Sequence, residues 1–233
     1  MKCYFQGCSK EGETKEHVPP KAFFPKEQRK QLITVRSCKD HNTGKSGDDL
    51  YVLAQICLNS SPRNRAREVF MKCIAPQLGF NDDAFRKLLI RDSKPLQNGA
   101  VKYRVDAQRL DKFFNALSCG LIYHVAKEQL PQNFSMSNIY HNLIDELMPP
   151  EEIELLASME RFYESETPEI LHFGEAQLQN EDIYMAKIFG ISGFHSSITI
   201  VHLFFGHFKV TSMLSRIWPN KKMQGTQKAA PLI

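Results

Sequence analysis

The stretch CKDHNTGK, Cys38–Lys45, puts a thiol and an imidazole in one short turn with two residues between them, and CYFQGC, Cys3–Cys8, puts two thiols around four residues. Together Cys3, Cys8, Cys38 and His41 form a Cys/Cys/Cys/His set in two close pairs. This is the pattern by which a structural Zn²⁺ is held, each pair chelating from one turn. Residues 1–50 are punctuated by Pro and Gly and have few long apolar runs, so a unit of this size needs a metal or neighbouring structure to hold it together. His41 has a second possible use, because beside Asn42 it could belong to a reactive site instead.

Between the two pairs lies KEHVPP, Lys15–Pro20, where a carboxylate and an imidazole are adjacent and two prolines follow. Pro19 and Pro20 favour an extended exit that keeps the imidazole aimed in one direction. His17 has the chemistry of a general base, since neutral imidazole has a pKa near neutrality. It also reads as a structural or zinc-binding histidine. Glu16, either alternating with His17 on a strand or turned by the loop, offers a hard oxygen to Mg²⁺ or Mn²⁺, and Asn42 offers a second, neutral one. Asn42 also reads as a helix start. Asp48 and Asp49 lie one turn or more beyond, as an outer ligand or as solvated acids. Lys45, with Lys21, Arg36 and the Arg63, Arg65, Arg67 cluster, would contact phosphates, although each cation also reads as ordinary surface charge.

Glu16–Pro20 followed by Cys38–Lys45 resembles the HNH endonuclease family, in its zinc-supported ββα-metal branch. The resemblance rests on the Glu16–His17 pair, on Asn42 and Lys45 in an Asn-x-x-Lys element, and on the thiols Cys3, Cys8 and Cys38, with His41 where a fourth Cys usually stands. It covers residues 3 to about 50. The family's central loop Asn has no counterpart here, because no Asn occurs between Val18 and Ser37. The resemblance implies a β-hairpin closed by the acid–His pair, a following helix, and Mg²⁺- or Mn²⁺-dependent hydrolysis of phosphodiesters. It further implies DNA as the substrate and, by association, restriction or antiphage defence.

Outside this unit the pattern turns helical. Leu50–Leu58 and RAREVFMK ending before Pro76 read as helices, and Asn81–Ile90 as a short one capped by Asn81. From about Asp106 to Val125, Leu110, Phe113, Phe114, Leu117 and Leu121 make a stripe for burial. Glu151–Phe162 carries Ile153, Leu156 and Met159 on one side. Beyond Pro168, segments starting at Ile183, Ser197 and Phe208 read as two or three strands. The tail after Pro219 reads as loose. The fold class expected is α+β: a zinc-stabilised ββα-metal unit over 1–58, then an accessory α+β domain over 59–233 with a helical first part and a β-rich end.

Ile188–Phe208 runs without Asp, Glu, Lys or Arg, but its three His, three Ser and one Thr suit a soluble β core better than a membrane span. The other three cysteines, Cys57, Cys73 and Cys119, are scattered among apolar neighbours. This is not a secreted disulfide set, and a reducing cytoplasm is the expected compartment. Net charge is +4, yet residues 60–112 carry twelve Lys/Arg against six Asp/Glu while 141–182 carry one against twelve, so any polyanion-facing side comes from the first half.

These readings converge on an HNH-type endonuclease, with nucleic acid, expected to be DNA, as partner, no membrane, and room for a homo-oligomer or protein partner. His17 is the base, Glu16, Asn42 and Asp49 serve the catalytic ion, and Lys45 serves the phosphate. The alternatives are a non-catalytic zinc-stabilised module that binds nucleic acid or protein, and a toxin-like RNase. The later histidines, His124, His141, His172, His195, His202 and His207, are assigned to surface or core without a role.

Overall fold

The computed structural model describes residues 1–42, 46–60, 63–97, 99, 101–143, 150–165, 168–171, 180–190, 192–194 and 197–217. Lys45, His172, His195 and the tail after Pro219 lie outside them.

Strand β1, Thr14–His17, pairs antiparallel with β2, Thr34–Ser37, Thr14 standing opposite Ser37 and His17 opposite Thr34. Along β2 burial alternates, Val35 and Ser37 inside and Thr34 and Arg36 outside, and on β1 Lys15 is exposed while Glu16 is buried. The hairpin therefore has one face on the core and one toward solvent, as the two-residue period of a strand requires. The connection between the strands plugs it into the core with Phe23 and Phe24, both fully buried.

Helix α1, Lys39–Asn42, follows at once, and α2 covers Ser46–Asn59. Asn42 is thus the last residue of a short helix, where the sequence suggests a helix start. Then α3, Asn64–Val69, runs through a π-turn, Phe70–Ile74, into α4, Ala75–Leu78. The helical path does not stop before Pro76, which falls in the first turn of α4, directly after the π-turn. Helix α5, Ala84–Leu89, starts later than its pattern suggests. Asn81, Asp82 and Asp83 have φ of 54°, 52° and 60°, a left-handed turn that short polar side chains tolerate, and so Asn81 is not its cap. A short ribbon joins β3, Lys94–Pro95, to β4, Val101–Lys102.

Helix α6, Ala107–Ala126, organises the rest. Asp106 caps it by accepting from the Arg109 N–H at 3.2 Å. The predicted stripe Leu110, Phe113, Phe114, Leu117 and Leu121 is buried throughout. It packs on a five-stranded antiparallel sheet in the order β5-β9-β8-β7-β6, made of β5 (Phe134–Tyr140), β6 (Glu169–Leu171), β7 (Tyr184–Phe189), β8 (Ile198–Phe204) and β9 (Phe208–Arg216). The three strands read from sequence are β7, β8 and β9, the centre of the sheet. The two not anticipated are its edges. On β8, Ile198, Ile200, His202 and Phe204 face inward in alternation, which is how a charge-free stretch becomes core. Helix α7, Pro150–Ser165, forms as expected, and Ile153 on it is 56% exposed. No described helix is long and apolar enough to cross a membrane.

One buried apolar cluster runs from the hairpin through α2 and α6 to the sheet. The Phe23 ring stacks on Phe113 at 5.2 Å between centroids and touches Phe204 at 5.7 Å. Each such buried ring is worth roughly 1.5–3 kcal/mol, so the hairpin is held by α6 and the sheet as well as by its own turns.

Candidate metal centre and the hairpin face

Cys3, Cys8, Cys38 and His41 converge: three Sγ atoms and one imidazole nitrogen lie within 4.8 Å of one another. The Cys8–Cys38 Sγ atoms are 3.9 Å apart, and His41 Nδ1 is 3.5 Å from Cys3 Sγ and 3.2 Å from Cys38 Sγ. With Zn–S near 2.3 Å and Zn–N near 2.0–2.1 Å, a tetrahedral ion requires S···S of about 3.8 Å and S···N of about 3.5 Å. The spacing fits, and it is far too wide for a disulfide, whose sulfurs sit at ~2.05 Å. These donors suit a closed, structural zinc site.

The surroundings treat Cys38 and Cys8 differently. Burial pushes Cys38 up, but the backbone N–H groups of His41 and Asp40 and the Cys3 and Cys8 thiols outweigh it and hold Cys38 below its ordinary value. Cys8 is raised by burial, against the backbone N–H of Lys10. The Phe5 ring lies flat on His41, 4.2 Å between centroids and 11° between planes, and fixes the imidazole. Asp40 forms an ion pair with Lys10 at the rim.

Sequence reading missed what anchors this loop. The Gln129 side-chain amide donates to the carbonyls of Cys3, Phe5 (3.1 Å) and Cys8 (2.8 Å), and Gln6 donates to Pro131 and Phe134 at 2.7 and 2.9 Å. The zinc loop and the segment after α6 thus clasp each other. Nothing local in either segment signals a partner more than 120 residues away.

Asn42 Nδ2 donates to Thr14 Oγ1 at 2.9 Å and to the Lys15 carbonyl at 3.2 Å, tying α1 to the strand that carries Glu16 and His17. Glu16 is 6% exposed and shares the interior face of β1 with Thr14, whereas His17 alternates to the outer face with Lys15. Asp49 lines a cleft of about 370 Å³ with Tyr4, Phe5 and His41, and His17 is not among its walls.

On the outer face Lys15 stands directly opposite Arg36, two register positions from the pair His17 and Thr34. Both cations are exposed, and among the described residues neither has an ion-pair partner. Burial, then the charges of Lys21 and Arg29, hold the His17 imidazole below its ordinary pKa, which favours its neutral form. The cluster at Arg63–Arg67 divides: Arg65 is bound to Glu68 and Gln28, while Arg63 and Arg67 are exposed.

A second polar centre is buried between α6 and the sheet. Ser212 donates to Asn138 Oδ1 at 2.6 Å, so its oxygen accepts from His202 Nε2 at 3.1 Å, which leaves Nδ1 to accept from the Tyr184 hydroxyl at 2.8 Å. Asn138 continues to Asp111 at 3.1 Å, where Tyr140 also donates at 2.7 Å. Burial pushes His202 down to about 3.

Comparison with protein-family models, with curated proteins and with solved structures finds no match to this chain.

Proposed function

We propose that the chain is a zinc-stabilised nucleic-acid-binding module whose contact surface is the outer face of the β1–β2 hairpin. The observation that carries this reading is the direct opposition of Lys15 and Arg36. Like charges facing each other across a ladder destabilise it, and a phosphate seated between them reverses the sign of the interaction. Lys21 and Arg29, which bear on His17 electrostatically, extend the same positive field. Titrating labelled duplex and single-stranded oligonucleotides against rising salt tests it. Lys15→Gln with Arg36→Gln is expected to weaken binding to all sequences alike and to lower the slope of log affinity against log salt by about 2. An unchanged slope counts against the reading.

One observation favours a second reading, hydrolysis in the manner of an HNH endonuclease. Asn42 donates its side-chain amide to the strand bearing Glu16 and His17, which brings the Asn42 turn against that strand, and the His17 imidazole is held below its ordinary pKa. In that reading His17 takes the proton of the attacking water, Glu16, Asn42 and Asp49 serve Mg²⁺ or Mn²⁺, and Lys45 meets the phosphate. It stands second because Glu16 faces the interior of the hairpin while His17 faces outward. Plasmid incubated with Mg²⁺ or Mn²⁺ decides it: cleavage by the parent that His17→Ala abolishes supports hydrolysis, and an intact plasmid leaves the binding module.

A further inference from the structure

The helical path of α3 and the π-turn carries a cleft of about 420 Å³, walled by Arg63, Asn64, Arg67, Phe70 and Met71 and backed by Leu58 of α2. Arg63, extended just before α3, lines it together with Arg67 and Phe70 of the helical path, so two guanidiniums and a ring share one cleft.

The charges on this segment are unequally treated. Its single acid, Glu68, is bound to Arg65 and Lys72, and those two cations also reach Gln28 and Glu27. Arg63 and Arg67 are left exposed, with no ion-pair partner among the described residues. Beside them Phe70 is half-buried, and Met71 stays 58% exposed although it is large and apolar. A pair of unneutralised guanidiniums next to an accessible ring and thioether is the chemistry that grips a phosphate and stacks a base. The turn that presents Phe70 and Met71 is a π-turn, a form concentrated at functional sites.

We infer that this cleft is a single-strand nucleotide site: Arg63 and Arg67 hold a backbone phosphate, and an unpaired base lies against Phe70 and Met71. The inference rests on the nucleic-acid reading above and adds to it a second surface that discriminates single strands from duplex. A base inside a duplex is stacked on its neighbours and is not offered to a ring, whereas both substrates offer phosphates.

The test is fluorescence anisotropy of a labelled oligothymidylate and of a duplex, with the zinc-loaded full chain. Arg63→Gln with Arg67→Gln and, separately, Phe70→Leu are expected to weaken oligothymidylate binding about tenfold, with duplex binding on the hairpin face changing less than twofold. Met71→Ser, at an exposed position, replaces Phe70→Leu if that variant melts early. Thymidine monophosphate is expected to compete only weakly and a phosphoserine peptide not at all. The inference is overturned if oligothymidylate affinity is unchanged in these variants, if duplex and single strand lose equally, or if the phosphopeptide displaces the oligonucleotide. Lys15→Gln with Arg36→Gln separates the two claims: loss there without loss at Arg63 and Arg67 keeps the hairpin reading and removes this one. A parent that binds no nucleic acid removes both.

Discussion

Gly120 of α6 and Val18 of the hairpin exit meet so closely that a methyl group at position 120 would lie 2.7 Å from Cγ2 of Val18. The helix tolerates a glycine at its centre, at a cost of about 1 kcal/mol relative to alanine, because only a hydrogen fits beneath the segment that follows Glu16 and His17. Gly120→Ala is therefore expected to destabilise the fold by about 1–3 kcal/mol despite the better helix former. Val18→Ala removes the obstacle, so urea unfolding of the two single variants and the double should show the double more stable than the sum of the singles predicts. Strict additivity would mean that the two residues do not touch.

Gln129 is the long-range anchor of the zinc loop. Gln129→Ala deprives the Cys3, Phe5 and Cys8 carbonyls of a donor, and partly buried acceptors left unpaired cost roughly 1–3 kcal/mol. The expected outcome is faster zinc transfer to a colorimetric chelator, with secondary structure before challenge like the parent's. Equal transfer rates would assign zinc retention to the loop alone.

The hairpin pair makes stability and binding move in opposite directions. Arg36→Glu turns the repulsion with Lys15 into an attraction, so thermal unfolding should shift slightly upward, within the ~0.2–1 kcal/mol of a cross-strand pair, while affinity for oligonucleotides falls. A variant that loses stability, or binds as tightly as the parent, contradicts the role given to this face.

Acid stability reports on His202. Its folded pKa of about 3 lies below the ordinary 6.5, so between those values the unfolded chain binds a proton that the folded chain does not. The stability contributed by a neutral His202 is whole above about pH 6.5 and is lost as pH falls toward 3, at up to ~1.4 kcal/mol per pH unit. His202→Gln should unfold more easily at neutral pH and show a shallower decline on acidification. Zinc ligands also protonate in acid, which is common to both proteins, so the difference between the two curves isolates the histidine.

Local patterns were legible and their partners were not. The spacing of Cys3, Cys8, Cys38 and His41 announced a four-ligand cluster because chelating pairs are local in sequence, and the stripe from Leu110 to Leu121 announced α6 because a helix buries residues at a fixed period. The central strands β7, β8 and β9 showed through their β-branched and aromatic runs. The edge strands did not: Ser135, Ser137 and Asn138 dilute the apolar alternation of β5, and β6 is three residues long. Asn81, Asp82 and Asp83 looked like a helix cap because the same residues serve caps and left-handed turns. The Lys15–Arg36 opposition needs the register of the hairpin, and the Gln129 clasp needs the tertiary fold; neither is written in a window of sequence.

One structural zinc bound by Cys3, Cys8, Cys38 and His41 would tie the N-terminal loop to the turn that follows β2. Native mass spectrometry of the intact chain, purified without chelator, tests this most directly, alongside Cys38→Ser. The predicted result is a parent mass carrying a single zinc and a Cys38→Ser protein that carries none and shows the broadened charge envelope of a partly unfolded N-terminus. A parent that sprays compact at its metal-free mass, or a Cys38→Ser variant that keeps zinc and a compact envelope, would contradict it.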